Sequence, residues 1–203
     1  MIEIARERTI PAPAARVWKI VAKAERLPEW YARADSVEVL EGSGLGRRQR
    51  LRSQWQGQDS EVDQLITAFE PERLLEWRHE AERLGGQPAP RFATETVVTI
   101  KLQAQGPNST GVVLESRQQP ADPEKEQSMR ANSEYLGKML ETSLERLEII
   151  ETGTGVERRG EPVRAALKAR TDVGFALRVF LQVVQNGTAF RVNSFGPVQV
   201  LQE

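Results

Sequence analysis

The chain has 203 residues and a net charge of −1, with 28 lysines and arginines against 29 aspartates and glutamates. That balance leaves no basic footprint for nucleic acid, and 39% hydrophobic with 28% charged residues marks a globular chain, not a disordered one. There is no cysteine and one histidine, His79, which excludes disulfides, thiolate nucleophiles, cysteine-based metal sites and any single-chain site with two histidine ligands.

Ile2 to Ile10 reads as a strand, stopped by Pro11 and Pro13 because proline cannot donate to a ladder. The segment before Pro13 contains no apolar leader, so no signal peptide is visible and a cytoplasmic location is the expectation. Ala14 to Ala24 is a short helix with Val17, Ile20 and Val21 at helical spacing, and Leu27 to Tyr31 is a second helical turn entered at Pro28. Strands follow at Ser36–Glu41, Arg48–Gln56, Glu61–Phe69 and Leu74–Glu80, with glycine turns at 42–46 and around Gly57. A Gly/Pro loop over 84–90 precedes a strand from Phe92 to Ala104, in which Phe92, Thr94, Thr96, Val98, Ile100 and Leu102 share a face. Gly111 to Arg117 is a further strand. One long helix then starts at Asp122 and Pro123 and ends at Gly153, with Met129, Leu136, Met139, Leu140, Leu144 and Leu147 along one side.

Strand, two short helices, six strands, long helix: this order predicts an α+β fold in which a curved antiparallel sheet of about seven strands wraps around the long helix, burying the stripe of both. The order resembles the SRPBCC superfamily (Bet v 1/START-like), and within it the polyketide cyclase/dehydrase-like group. Ile10-Pro11-Ala12-Pro13 running into Val17-Trp18 is similar to that group's opening, and Leu27-Pro28-Glu29-Trp30 to its second signature. Gly44-Leu45-Gly46 and the stretch Phe69 to Trp77 look like its turn into the third strand and its central strand–turn–strand. The resemblance covers residues 1–152 and implies a helix-grip domain whose cavity, between sheet and long helix, holds lipids, polyketides, aromatics or other apolar molecules. It implies no universal catalytic residue, and no cofactor is expected for this chain.

The residues themselves carry little overt chemistry. No Gly-x-Ser-x-Gly elbow and no calcium-loop pattern is present, and no metal ligand set is expected. His79 shares strand parity with Leu75 and Trp77; facing inward it is a candidate acid or base, and otherwise a strand-end histidine ordering water. Trp55, Trp77, Phe92, Thr94 and Thr96 fall on the apolar parity of their strands and are candidate cavity linings, the alternative being ordinary core packing. Trp30 and Tyr31 are expected to flank the cavity mouth, Leu136 and Met139 lie on the helix that covers it, and Tyr135 there either offers its hydroxyl to a polar ligand group or stands in solvent. Arg48, Arg50 and Arg52 share a strand face, either as an anion patch or, the preferred reading, paired with acidic residues of neighbouring strands.

Residues 153–203 form a C-terminal extension. A helix is expected from Pro162 to about Gln185 with a wide apolar arc, then short strands at Ala189–Asn193 and Val198–Leu201. Three fates fit it: docking on the chain's own domain, a homodimer interface, or lying on a membrane surface, the first two being favoured; no segment is suited to cross a membrane. Three functions fit the whole: binding of an apolar or aromatic small molecule as carrier or sensor, a cyclase/dehydratase-type enzyme using the same cavity, or a protein-interaction or dimerisation module.

Overall fold

The computed structural model describes residues 1–153 and, beyond them, the backbone of residues 190–191 and 199–200. The chain divides into two units, Met1–Thr154 and Gly155–Glu203. In the second, β9 (Phe190–Arg191) pairs antiparallel with β10 (Gln199–Val200), within the two segments expected to be extended. The helix expected over 162–185 lies outside the described residues.

The first unit begins with β1 (Ile2–Ile10), followed by α1 (Ala14–Val21), a 3-10 turn at Ala24–Arg26 and α2 (Leu27–Trp30). α1 buries Val17, Ile20 and Val21, the residues at helical spacing, and stops three residues before the expected Ala24 because Lys23 turns extended. Six further strands come next: β2 (Ser36–Glu41), β3 (Arg48–Trp55), β4 (Gln58–Glu70), β5 (Leu74–Leu84), β7 (Ala93–Gly106) and β8 (Ser109–Pro120). A two-residue strand, β6 (Gln87–Pro88), pairs with β5 inside the loop expected over 84–90. The sheet is antiparallel and curved, in the order β1-β8-β7-β5-β4-β3-β2, with β6 off the path.

The helix expected as one piece is two: α3 (Pro123–Ala131) and α4 (Ser133–Thr152). The N-cap is as expected, Asp122 accepting from the Lys125 amide at 2.8 Å. The break at Asn132 has a local cause. The Asn132 side-chain amide donates to the Ser128 carbonyl at 2.8 Å and the Ser133 hydroxyl to the Arg130 carbonyl at 2.7 Å, so side chains satisfy the last carbonyls of α3. α3 buries no residue, whereas α4 buries Leu140, Leu144 and Leu147 against the sheet.

Strand alternation sorts the sheet into two faces. Leu51 of β3, Ile66 of β4, Leu75 and Trp77 of β5, Val98 and Ile100 of β7, and Val112 and Leu114 of β8 are all buried in one cluster with the α4 leucines. On β1 the same face carries Ile2, Ile4, Arg6, Arg8 and Ile10, since Ile4 lies opposite Ser116 and Arg6 opposite Leu114. Arg8 confirms the direction by reaching Glu148 of α4 at 2.7 Å and Glu145 at 3.3 Å. This is the concave face that α4 covers.

Leu144 is 1% exposed and central to that contact. Leu144→Ala is expected to lower the unfolding free energy by ~2–5 kcal/mol, the usual range for a large-to-small core change. Urea denaturation of the full chain checks it; a cost near zero would show that α4 does not close the core.

Candidate functional site

Cross-strand register arranges the concave face in rows. One runs Ile66, Trp77, Val98, Ser116, Ile4 across five strands, and the next runs Leu75, Ile100, Leu114, Arg6. On the other side of the Trp77 row the residues turn polar. Gln49 pairs with Gln64 and Gln64 with His79, while Thr96 pairs with Gln118. The β5–β7 ladder ends at the Arg78–Val97 pair, one residue short of His79 and Thr96, which share the parity of Trp77 and Val98. An apolar floor therefore ends at a polar row.

The aromatic residues meet above this floor. Trp30 is solvent-free at the end of α2, and its ring centroid lies 5.6 Å from that of Tyr31, which lies 5.5 Å from Trp77, edge to face. Burial raises the Tyr31 phenol above its ordinary range, with the charge of Arg33 acting in the opposite direction. The segment after α2 is fixed to α4 by Ser143, whose hydroxyl accepts from the Ala32 amide at 2.9 Å and donates to the Met139 carbonyl at 2.7 Å.

Trp55 and Tyr135 stand at the rim. Both are partly in solvent, with ring centroids 5.8 Å apart, and with Met139, Ala32, Arg33 and Asp35 they border a cavity of about 90 Å³ between β3 and α4. On the other flank of α4 a groove of about 540 Å³ runs between β1 and the α3–α4 junction. Leu136 is half-buried and packs on the core.

Phe92 and Thr94 do not share the face of Val98. β7 shifts register by one residue between Ala93 and Glu95, and the strand begins only at Ala93. Phe92 is exposed, beneath the Lys125 ammonium at 5.6 Å from its ring centroid, and Thr94 donates to the Gln119 carbonyl at 3.3 Å. Thr96 lies past the bulge and is buried as its parity requires.

His79 is mostly buried on the concave side and its Nδ1 lies 2.7 Å from a Glu82 carboxylate oxygen. The two meet because β5 carries a bulge against β4 that returns Glu82 to the side of His79. The His79 hydrogen bond, and then the charges of His79 and Arg33, hold the Glu82 carboxyl below the ordinary glutamate range against a desolvation cost.

Sequence reading passed over Gln49 and Gln64. Their side chains are 2% and 1% exposed and bond to each other at 2.9 Å. The signal was present, because Gln49 shares parity with Leu51, and Gln64 with Val62 and Ile66. Gln49 Oε1, Trp77 Nε1 and Trp30 Nε1 are buried and have no hydrogen-bond partner among the described residues.

The arginine run of β3 lies on the convex face and is paired. Arg50 donates to Asp63 at 2.6 and 3.1 Å, Arg52 to Glu61 and Glu38, and Arg48 to Glu80 and Glu41, while Arg83 also reaches Asp63. This is the solvated, ion-paired sheet face, not an anion patch.

A curved antiparallel sheet gripping a C-terminal helix, with an aromatic floor between them, defines a helix-grip domain of the START and Bet v 1 kind. The chain belongs to the family of polyketide cyclase/dehydrase and lipid transport proteins, whose family model matches residues 1–148. No curated protein matches the chain. Solved structures share the fold at low identity. A START superfamily protein from Mycobacterium smegmatis is 15% identical, with a TM-score of 0.58 over 74% of this chain and 97% of its own. The di-domain ARO/CYC BexL from the BE-7585A biosynthetic pathway is 17% identical, with a TM-score of 0.60 over 74% of this chain and 47% of its own. Ara h 8.0201 is 17% identical, with a TM-score of 0.52 over 72% and 97%. Among the described residues no helix is long and apolar enough to cross a membrane.

The ion pairing has a pH signature. The Arg50 hydrogen bond, reinforced by Arg83, lowers Asp63 from 3.8 to about 2 although partial burial opposes the shift. A depressed carboxylate contributes stability that is complete above its unfolded value and is lost as pH falls through its folded one. Asp63→Asn is thus expected to reduce the acid-induced loss of stability between pH 3.8 and about 2. Urea midpoints at several pH values test this; an unchanged pH dependence would rule the pairing out as a stabilising contact.

Proposed function

We propose that residues 1–152 bind an apolar or aromatic small molecule, a lipid, polyketide or similar, inside the grip as carrier or sensor in the cytoplasm. The observation that carries this reading is the composition of the concave face. An apolar floor with a Trp30–Tyr31–Trp77 cluster adjoins a polar row of Gln49, Gln64, His79, Thr96 and Gln118. Buried donors and acceptors left without partners cost ~1–3 kcal/mol each, and two indole N–H groups and an amide oxygen are in that position. A ligand with an apolar body and one or two polar groups gains from both features: the body removes apolar surface from water, and its polar groups meet the orphaned atoms.

The His79–Glu82 pair supports a second reading, a cyclase or dehydratase acting on the same ligand class. A histidine held by a carboxylate at the edge of an apolar site has the geometry of a general base, able to take a proton beside a ketone and return it to a leaving hydroxyl. Family membership supports both readings equally.

Native mass spectrometry of freshly purified protein, followed by denaturation and extraction, is the direct test. A co-purifying apolar compound at near-stoichiometric level is expected, and Trp77→Ala is expected to weaken rebinding of the extracted compound by ~10-fold or more, in line with truncating a buried aromatic anchor. Protein that carries nothing and takes up no apolar fluorescent probe would sink the proposal. Conversion of the extracted compound by wild type, with His79→Gln still binding it but converting none, would establish the enzymatic reading over the carrier.

A further inference from the structure

Two arginines of β1, Arg6 and Arg8, point into the concave face, and they are treated differently. Arg8 is neutralised by Glu145 and Glu148 of α4. Arg6 is partly buried, and among the described residues it has no carboxylate partner; its hydrogen bond goes to the neighbouring Ala5 carbonyl at 2.8 Å. Partial burial leaves the guanidinium within reach of solvent and of a ligand, without the counter-ions that Arg8 has.

The helix above Arg6 makes room for it. Gly137 is buried in the second turn of α4, inside the helix, where glycine is a weaker helix former than alanine. A β-carbon at that position would stand 2.9 Å from Arg6 Cζ and closer still to Nη2. The guanidinium therefore lies against bare helix backbone, and a side chain at 137 would push it aside.

Arg6 also forms part of the wall of the 540 Å³ groove. Ile2 and Ile4 line its strand side and Arg130, Ser133 and Glu134 its helix side. The acidic groups here do not neutralise Arg6: Glu134 pairs with Lys138 at 2.9 Å, and Glu3, which also lines the groove, makes no ion pair with Arg6. Arg130 is already paired with Glu126. Arg6 is the side-chain cation of the groove without an ion pair among the described residues, with the Met1 terminus on the same wall, and it lies beside the apolar row that leads through Ile4 and Ser116 to Trp77.

We propose that the groove between β1 and the α3–α4 junction is the anion-binding end of the ligand site, where Arg6, seated on Gly137, holds the carboxylate of an amphipathic organic acid. The inference rests on the ligand-binding reading above and narrows its ligand class to apolar or aromatic monoacids. A planar guanidinium matches a carboxylate with two parallel N–H donors, and such charge-assisted bonds are the strong ones.

The test uses two fluorescent probes with one aromatic body: phenylnaphthylamine, which is neutral, and anilinonaphthalene sulfonate, whose sulfonate stands in for the carboxylate. Both are titrated into the full-length wild type, Arg6→Met, Arg6→Lys and Gly137→Ala, with circular dichroism as the control for folding. The ratio of sulfonate to neutral affinity is expected to fall ~10-fold in Arg6→Met, the size of one charge-assisted hydrogen-bonded contact, and by less in Arg6→Lys. Gly137→Ala is expected to lower the same ratio by displacing the guanidinium, while its thermal stability holds or rises because alanine favours the helix. Binding of both probes with a ratio unchanged in Arg6→Met and Gly137→Ala would overturn the anion site and leave the cavity reading intact. Should Arg6→Met not fold, the ratio in Gly137→Ala decides. Failure of wild type to bind either probe would overturn both readings.

Discussion

Leu140, Leu144 and Leu147 are almost free of solvent, while Glu134, Lys138, Glu141 and Glu145 on the same helix are exposed. α4 can bury that one-sided stripe only in a surface that curves around it, and the sheet supplies the surface by placing alternate residues of seven strands on one side. Curvature is local in origin: β5 and β7 bulge against their neighbours, which bends the strands and re-aims the side chains beyond the bulge. A helix lying in a concave sheet touches it along a line and not over an area. Space therefore opens on both flanks of α4, toward β3 on one side and β1 on the other.

Polar groups are divided between the two faces in a way that ordinary core packing does not require. On the convex face charge is abundant and paired, Arg48, Arg50 and Arg52 each meeting acids on adjacent strands. On the concave face charge is sparse and includes Arg6, Arg8 and the His79–Glu82 pair, and other polar groups are amides, hydroxyls and indoles, three of whose buried atoms have no partner among the described residues. A domain selected only for stability would fill that face with aliphatic side chains, since a half-satisfied polar interior is less stable than an apolar one. The bare backbone at Gly137 belongs with this pattern. It weakens the helix by about 1 kcal/mol relative to alanine and gives Arg6 a place to lie.

Much of the candidate site follows from parity. Trp77 and His79 face inward because Leu75 does, and Thr96 because Val98 does; the registers then set Trp77 beside Val98 and His79 beside Gln64. Parity fails where a strand bulges, which is why Phe92 and Thr94 leave the row that the sequence pattern assigned them. Period-2 reading counts residues and has no means of detecting that one has been added to a strand without a partner. Gln49 and Gln64 escaped for another reason. Glutamine is a surface residue by habit, so their inward parity was outweighed by their polarity until the hydrogen bond between them was seen.

Composition, punctuation by proline and glycine, and hydrophobic period are properties of short stretches of chain, and they determined the order of elements, the antiparallel sheet, the capping residue Asp122 and the stripe of α4. The family resemblance followed from that order, since the order is what the family shares. Pairings between residues distant along the chain were decided by the tertiary structure alone. Arg8 meets Glu148 across 140 positions, and Ser143 holds Ala32 across 111. Arg6 lies on Gly137, and Glu82 returns to His79 only through a bulge against another strand. Such contacts depend on register, curvature and the seating of one helix, all set by the packing of the whole sheet at once, and no local window of sequence contains them.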